Sequence, residues 1–415
     1  MILEKYSFGI GDRFGHQGKA QLQAMVDAEK QGINITPVWN KSHREHTTIG
    51  TVPGDVRTEA DQAVEALEWN GAYHVDADHI SLKNVDLFID SSDFFTLDVA
   101  DFIGQPADEK EVTSFVNKYK KYVGQLKIDR INEIFDITEE QIKAIARKFL
   151  LAIDEAGKIY RHIESAKGSE KFITEVSMDE TDQPQTPVEM FFILAAIADR
   201  NIPAQTVAPK FTGRFNKGVD YVGDTARFTK EFQRDLAVIA FAVGEFGLPE
   251  NLKLSVHSGS DKFSIYEPIS IALREFDAGL HIKTAGTTWL EELIGLALAG
   301  GDALTIAKEI YTRAIERFGE LCNPYATVID IDIDKLPTPQ TVNKWSGDEF
   351  ADALRHDLSC EKYNPDFRQL LHVAYKIAAE MGSDYTDALK ENERIIARSV
   401  TENIYYRHIK PIFGK

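Results

Sequence analysis

Ionisable residues gather where this chain reads as β-strand. In residues 72–80, AYHVDADHI, the two-residue repeat of a strand places His74, Asp76 and Asp78 on one face, with His79 at the exit. Carboxylates buried in such a strand are costly unless they are paired or bound to a metal. The same pattern recurs along the chain. Asp12 and Arg13 follow YSFGI, Asn40 ends ITPVWN with Lys41 behind it, and FFTLDV carries Asp98. FITEVSM holds Glu175 with Asp179 just beyond, AQTVAPK ends in Lys210, LKLSVH ends in His257, and GLHIKT puts His281 and Lys283 at one parity.

Histidines and carboxylates from separate strands are the ligand types of a divalent metal site. The ligand set expected from these strand ends is His79, Glu175, His257 and His281. Zinc heads the metals this set would take, and Mn, Ni and Co remain open. Glu175 lies between Thr174 and Val176 in an apolar run, where an unpaired carboxylate would be expensive. Lys210 and Lys283 also interrupt apolar strands, and a buried lysine serves as a base, a Schiff-base former or an anion receptor. His74 lies deeper in its strand and is expected to orient its neighbours. His43, His46, His162, His356, His372 and His408 fall on helices or loops and read as surface or packing residues.

The elements that must position these groups alternate. Eight strand candidates are counted, at 6–10, 35–40, 72–80, 94–99, 172–178, 204–210, 252–257 and 279–284, most followed by an amphipathic helix. Thr186 with Pro187 opens one such helix, and Thr288 with Glu291 has the spacing of a capping box. Strict alternation implies a parallel sheet, and eight units close into a (β/α)8 TIM-type barrel; an open doubly wound sheet is the alternative. Residues 101–171 read as helix after helix and are expected to be a helical insertion after the fourth strand. The catalytic barrel is expected to span residues 1–300, and a mainly helical extension, 301–415, to pack on it. In such a barrel the C-terminal strand ends form the active site.

Composition narrows the function classes. A net charge of −19 and the lack of a Lys/Arg-dense run argue against a nucleic-acid partner. Two cysteines without a pairing motif, no signal-peptide core and no apolar run of about 18 residues point to a cytoplasmic protein with no membrane partner. A homo-oligomer is compatible with the sequence. GIGDRFG fails as a dinucleotide loop, because Phe14 stands where the third glycine of G-x-G-x-x-G belongs, and LSVHSGSD lacks a serine-hydrolase elbow.

Six segments, KYSFGIGDRFGHQGKAQLQA, PVWNKSHREH, YHVDADHI, SSDFFTLDVAD, FITEVSMDET and HIKTAGTTWLEE, resemble in order those of the tagaturonate/fructuronate epimerases of the UxaE type. The resemblance implies a metal-dependent, barrel-type isomerase that interconverts two ketouronates, with some relatives acting on tagatose and fructose. The inverted carbon is β to the ketone, so enolisation does not acidify its hydrogen. Retro-aldol cleavage and re-addition is one route, and transient oxidation by a nicotinamide is the other. The first needs a metal and an acid/base, for which Asp78, Asp98 and Lys283 are candidates. The second needs a dinucleotide site that no motif supplies. A sugar-acid substrate implies a carboxylate clamp, with Arg13, His16, Lys41, Arg44 and Lys210 as substrate-binding candidates. The alternatives are 4-epimerisation of a neutral ketose, another metal-dependent sugar isomerisation, and a non-catalytic sugar-binding protein.

Overall fold

A computed structural model describes residues 1–415 except Asp182, Ala285 and Lys415. Ala285 of the HIKTAGTTWLEE segment and the last residue of the 301–415 region therefore lie outside the described residues. Among the described residues ten strands occur: β1 (Tyr6–Ile10), β2 (Thr36–Ser42), β3 (His74–Ile80), β4 (Phe94–Asp98), β5 (Gly124–Lys127), β6 (Ile134–Ile137), β7 (Ile173–Ser177), β8 (Thr206–Ala208), β9 (Lys253–His257) and β10 (Leu280–Lys283). All but β5 and β6 form one closed parallel barrel in the order β1-β10-β9-β8-β7-β4-β3-β2. This is the (β/α)8 architecture that the alternation implied.

Strand composition explains both faces. Outward positions are apolar and buried under the surrounding helices, as with Phe95 and Leu97 of β4, Leu254 and Val256 of β9, and Leu280 and Ile282 of β10. Inward positions change character with depth. The floor is a small apolar cluster of Leu3, Val38, Phe94 and Ile173. Above it the inward residues are polar: Asp76, Thr96, Glu175, His281 and Lys283 are all buried. Polarity thus rises toward the C-terminal strand ends.

Two helix starts show how local chemistry is used or overruled. Thr186 caps the helix Pro187–Asp199 in a reciprocal box with Glu189. The Thr288/Glu291 box does not form, and the helix Thr287–Ala299 starts after Gly286 without a side-chain cap. Thr288 Oγ1 instead accepts from Gln21 Nε2 at 2.8 Å, and Glu291 Oε1 accepts from Asn403 Nδ2 at 3.0 Å. Tertiary packing took both side chains. Burial then pushes the Glu291 carboxyl up to about 7 from an ordinary carboxylate value. A raised folded-state value favours folding fully below the unfolded value near 4.5, and that advantage is lost as pH rises through about 7. Glu291→Gln should therefore gain stability relative to the wild type by about 3 kcal/mol between pH 4.5 and pH 8. Denaturant unfolding of both proteins across that range measures the difference.

Residues 101–171 differ from the all-helical expectation. The helix Glu109–Tyr119 ends early, and Gly124, at φ +111°, starts an antiparallel β5–β6 hairpin whose residues are mostly exposed. EVTSFVNKYKKYVGQL reads as helix through Leu126 because nothing before Gly124 breaks the periodicity. The long helix Glu139–Lys167, capped by Thr138, packs on β4 and on the helix after β7, so it occupies a barrel-helix position.

The C-terminal region is helical, and its anchor is electrostatic. Asp261, in the loop after β9, is fully buried between Arg368 Nη2 at 2.8 Å, His408 Nε2 at 3.0 Å and His356 Nδ1 at 3.1 Å. His356, His372 and His408 are buried packing residues that join this region to the strand-end loops. Among the described residues no helix is long and apolar enough to cross a membrane.

Candidate active site

The site starts with Lys283. From β10 it projects into the barrel, where Nζ lies 2.7 Å from Asp76 Oδ2, 2.9 Å from Asp78 Oδ1 and 3.0 Å from Glu175 Oε1. It also donates to Thr96 Oγ1 at 2.6 Å. Strand register brings these residues together, since Lys283 pairs with Gly9 and His257, and Thr96 with Glu175. Gly9 matters here because a Cβ would collide with the Lys283 stem. Despite the cost of burial, three carboxylates raise the Lys283 ammonium well above the ordinary lysine range. A Schiff base would need the neutral amine, which this setting disfavours.

Around that ammonium the carboxylates divide. Burial pushes Asp76 up to about 7, with Lys283 opposing it. Burial also acts against ionisation of Asp78 and Glu175, but Lys283 and the neighbouring histidines hold both below the usual range. Asp78 and Glu175 then reach one layer further. Asp78 Oδ1 lies 3.0 Å from His79 Nδ1, and Glu175 Oε1 lies 2.8 Å from His257 Nε2.

The remaining imidazole nitrogens meet at one point. His79 Nε2 is 3.4 Å from Asp179 Oδ1, and His257 Nδ1 is 3.1 Å from Asp179 Oδ2. Ligand atoms of His79, Asp179 and His257 all lie within 4.8 Å of one another. His79 gets there through a β-bulge: the β3–β4 register slips between Ala77 and Ile80, and His79 takes φ +53°. Bulges of this kind re-aim a side chain next to an active site.

Two observations fit a divalent cation at this point. His257 Nδ1 is buried and close to Asp179, yet makes no hydrogen bond of acceptable direction. Three carboxylates, Asp76, Asp78 and Glu175, also share the Lys283 ammonium, while a fourth, Asp179, faces only the two imidazoles. Without a further cation the excess charge is met by protonated imidazoles: burial acts against this, but Asp179 pushes His257 up to about 9, and Asp78 and Asp179 raise His79. A metal would replace those protons, since a metal binds neutral imidazole. His79, Asp179 and His257 are the donors that would hold it, while Asp78 and Glu175 orient the two rings, as carboxylates do behind metal-bound histidines.

Of the ligand set expected from sequence, the structure brings His79 and His257 into this group with Asp179. Glu175 stands behind His257. His281 lies one inward position deeper than Lys283, with Nδ1 2.8 Å from Ser7 Oγ and its ring 5.2 Å from that of Phe94. Burial lowers His281 to about 3, so it is neutral there. Strand parity alone could not find Asp179, because it lies past the end of β7, where the loop turns back over the site.

Asp98 stands at the end of β4 with Oδ1 accepting from the Ala100 N–H at 3.2 Å, and no ion pair holds it among the described residues. Burial raises its carboxyl. Arg13 donates through Nε to Glu45 Oε1 at 3.2 Å and through Nη1 to the His372 carbonyl at 3.2 Å. Lys41 Nζ donates to the Arg13 carbonyl at 2.7 Å, and the His16 N–H donates to Asp12 Oδ2 at 2.7 Å. The Lys210 N–H donates to Gln185 Oε1 at 2.8 Å. Arg44 is exposed and lies 5.2 Å over the Tyr325 ring. Arg13 and Lys41 are thus committed to loop structure, whereas no ion pair holds Arg44 among the described residues.

A family model described as UxaE, tagaturonate epimerase, matches residues 1–412. The tagaturonate/fructuronate epimerase of Thermotoga maritima is 28% identical over 426 residues, covering 98% of this chain and 81% of that protein. A glycerol-complexed crystal structure of the fructuronate-tagaturonate epimerase UxaE from Cohnella laeviribosi superposes with a TM-score of 0.81 at 24% identity, covering 99% of this chain and 82% of that one. The native crystal structure from the same organism gives a TM-score of 0.79 at 24% identity, with 99% and 82% covered.

Proposed function

Since the chain belongs to the UxaE tagaturonate epimerase family and is an epimerase, we propose that it interconverts tagaturonate and fructuronate, with a divalent metal at His79, Asp179 and His257. The observation that carries the reading is the paired arrangement in which Lys283 fixes Asp78 and Glu175, and these in turn fix the two histidines facing Asp179. Three protein donors leave room for substrate oxygens, the arrangement typical of catalytic rather than structural sites. A neutral sugar-binding protein would have no use for it.

The proposed chemistry is retro-aldol. The β-hydroxyl gives up its proton as the bond between the α and β carbons breaks, its oxygen becomes an aldehyde carbonyl, and the bonding pair passes to the ketone fragment as an enediolate. The aldehyde turns, the α carbon attacks its other face, and the new alkoxide takes the proton back. When bound, a divalent ion supplies Lewis acidity toward the ketone and hydroxyl oxygens. We assign the proton transfer to Asp98, because it stands at the C-terminal end of β4 with no ion pair among the described residues. Asp78 is held by Lys283 and His79 and serves to position them. The buried walls of the barrel keep water from the enediolate.

Asp98→Asn is expected to lower kcat by about 10²- to 10⁴-fold while bound metal stays at the wild-type level. Steady-state kinetics with metal analysis checks this, and unchanged kcat would remove Asp98 from the role. Where bond cleavage limits the rate, the retro-aldol route gives a primary ¹³C isotope effect at the bond that breaks. Active purified protein carrying an equivalent of NAD would overturn the route in favour of transient oxidation.

A further inference from the structure

A cationic cluster outside the metal group has no role so far. Lys217 lies in the loop after β8, and that loop is pinned on both sides. The Lys217 N–H donates to the Val328 carbonyl at 2.8 Å, the Gly218 N–H donates to Ser260 Oγ at 2.9 Å, and Arg368 Nε donates to the Gly218 carbonyl. Gly218 sits at φ +78°, and a Cβ there would press on His372 and the Arg368 backbone. The position of Lys217 is therefore built by the C-terminal region.

Its ammonium points toward the site. Nζ lies 3.5 Å from where a Cβ would stand on Gly259, whose N–H donates to the Lys283 carbonyl at 3.2 Å. Gly259 is two residues past His257, a backbone span of at most about 7 Å. No carboxylate pairs with Lys217 among the described residues.

The other cations there are tied to the same region. Arg44 lies 5.2 Å over the Tyr325 ring and Arg13 lies 4.0 Å over the Tyr375 ring, while the two tyrosine hydroxyls are 3.0 Å apart. Tyr325 is three residues before Val328, which holds Lys217. Arg13 is paired with Glu45, whereas Lys217 and Arg44 enter no ion pair among the described residues, and the nearby Lys262 ammonium is held by Ser260 Oγ at 2.9 Å. Burial lowers Lys217, and Arg44 and Arg13 act in the same direction, whereas Glu45 and Glu180 oppose them. An anion between these groups would relieve that repulsion.

We propose that Lys217, with Arg44 and the tyrosine pair Tyr325 and Tyr375, binds the carboxylate of the sugar-acid substrate, and that Lys217 makes the enzyme prefer a ketouronate over a neutral ketose. The inference rests on the proposed epimerase reading. It gives the C-terminal region a part in specificity, since Val328, Tyr325 and Tyr375 all come from it. Charge-assisted pairing of an ammonium with a carboxylate sets the expected size of the effect.

Kinetics with tagaturonate and with tagatose on wild type, Lys217→Met and Lys217→Arg test it. Lys217→Met should raise the KM for tagaturonate by about 30-fold while kcat changes less than about threefold. Turnover of tagatose should be unchanged or improved, and Lys217→Arg should recover most of the tagaturonate KM. An unchanged KM for tagaturonate, or equal losses on both substrates, would overturn the proposal. Wild-type protein that turns over neither substrate would instead defeat the epimerase reading. The Kd of tagaturonate measured by calorimetry on wild type and Lys217→Met would then still decide the role of Lys217, equal values counting against it.

Discussion

Lys283→Met should lose at least ~10³-fold in kcat and about 3–5 kcal/mol in stability. The Lys283 ammonium is the shared partner of Asp76, Asp78 and Glu175, all within 3.0 Å of Nζ. Removing it leaves buried carboxylates facing one another, and breaking a buried pair from one side is far more damaging than replacing both partners. Asp78 and Glu175 would also turn away from His79 and His257, which they orient. The two losses should separate in the double variant Lys283→Met/Asp76→Asn. Removing one carboxylate charge should recover part of the stability, because the residues share one network, whereas kcat should stay low. Denaturant unfolding with parallel kinetics measures both. Full stability in the single variant would show that Lys283 is not the keystone of the layer.

Asp179→Ala has the second large effect. Asp179 is the carboxylate toward which both His79 and His257 turn, so its loss should reduce bound metal from about one equivalent per chain to below ~0.1 and abolish turnover. Glu175→Gln should weaken metal affinity by about 10- to 100-fold, as loss of a histidine-orienting carboxylate does. His281→Leu serves as the control. His281 is bonded to Ser7 below the site, so that variant should keep its metal. Elemental analysis of each purified variant gives the ranking. Metal retained by Asp179→Ala but lost from His281→Leu would reverse the assignment.

The barrel was legible because its strands announce themselves in two ways at once. Outward positions such as Leu254, Val256, Leu280 and Ile282 are apolar, and inward positions such as Glu175, His281 and Lys283 carry function, so alternation and ionisable residues coincide. Parity put Asp76 with Asp78 and His281 with Lys283, and in the structure Asp76, Asp78 and Lys283 meet inside the barrel. Where the backbone leaves the regular strand parity has no say, so His79 was named from its residue type at the strand exit and Asp179 was missed as a candidate ligand. The bulge that turns His79 requires a register slip that only pairing with β4 defines, and Asp179 depends on how a loop folds back. The β5–β6 hairpin was hidden for a different reason. Its short strands are mostly exposed and carry little of the apolar alternation that marks a buried strand.

Lys217, Tyr325 and Tyr375 were out of reach for a third reason. Lys217 and Tyr325 sit in loop or short-turn segments and Tyr375 opens a helix, and they are linked through Val328 only because Arg368 and Asp261 hold the C-terminal helices on the strand-end loops. The Thr288/Glu291 pair shows the converse. A sound local motif was overridden because Gln21 and Asn403 bind the same side chains.

The central claim is that the His79, Asp179 and His257 group carries ketouronate epimerisation. Its most direct test is to incubate purified protein of known metal content with tagaturonate and follow the carbon signals by NMR, alongside Asp179→Ala. Fructuronate should accumulate to an equilibrium mixture with the metal-loaded wild type, cease after chelation and return when metal is restored, while Asp179→Ala stays inactive throughout. Conversion that persists at full rate in the metal-free protein or in Asp179→Ala would contradict the account.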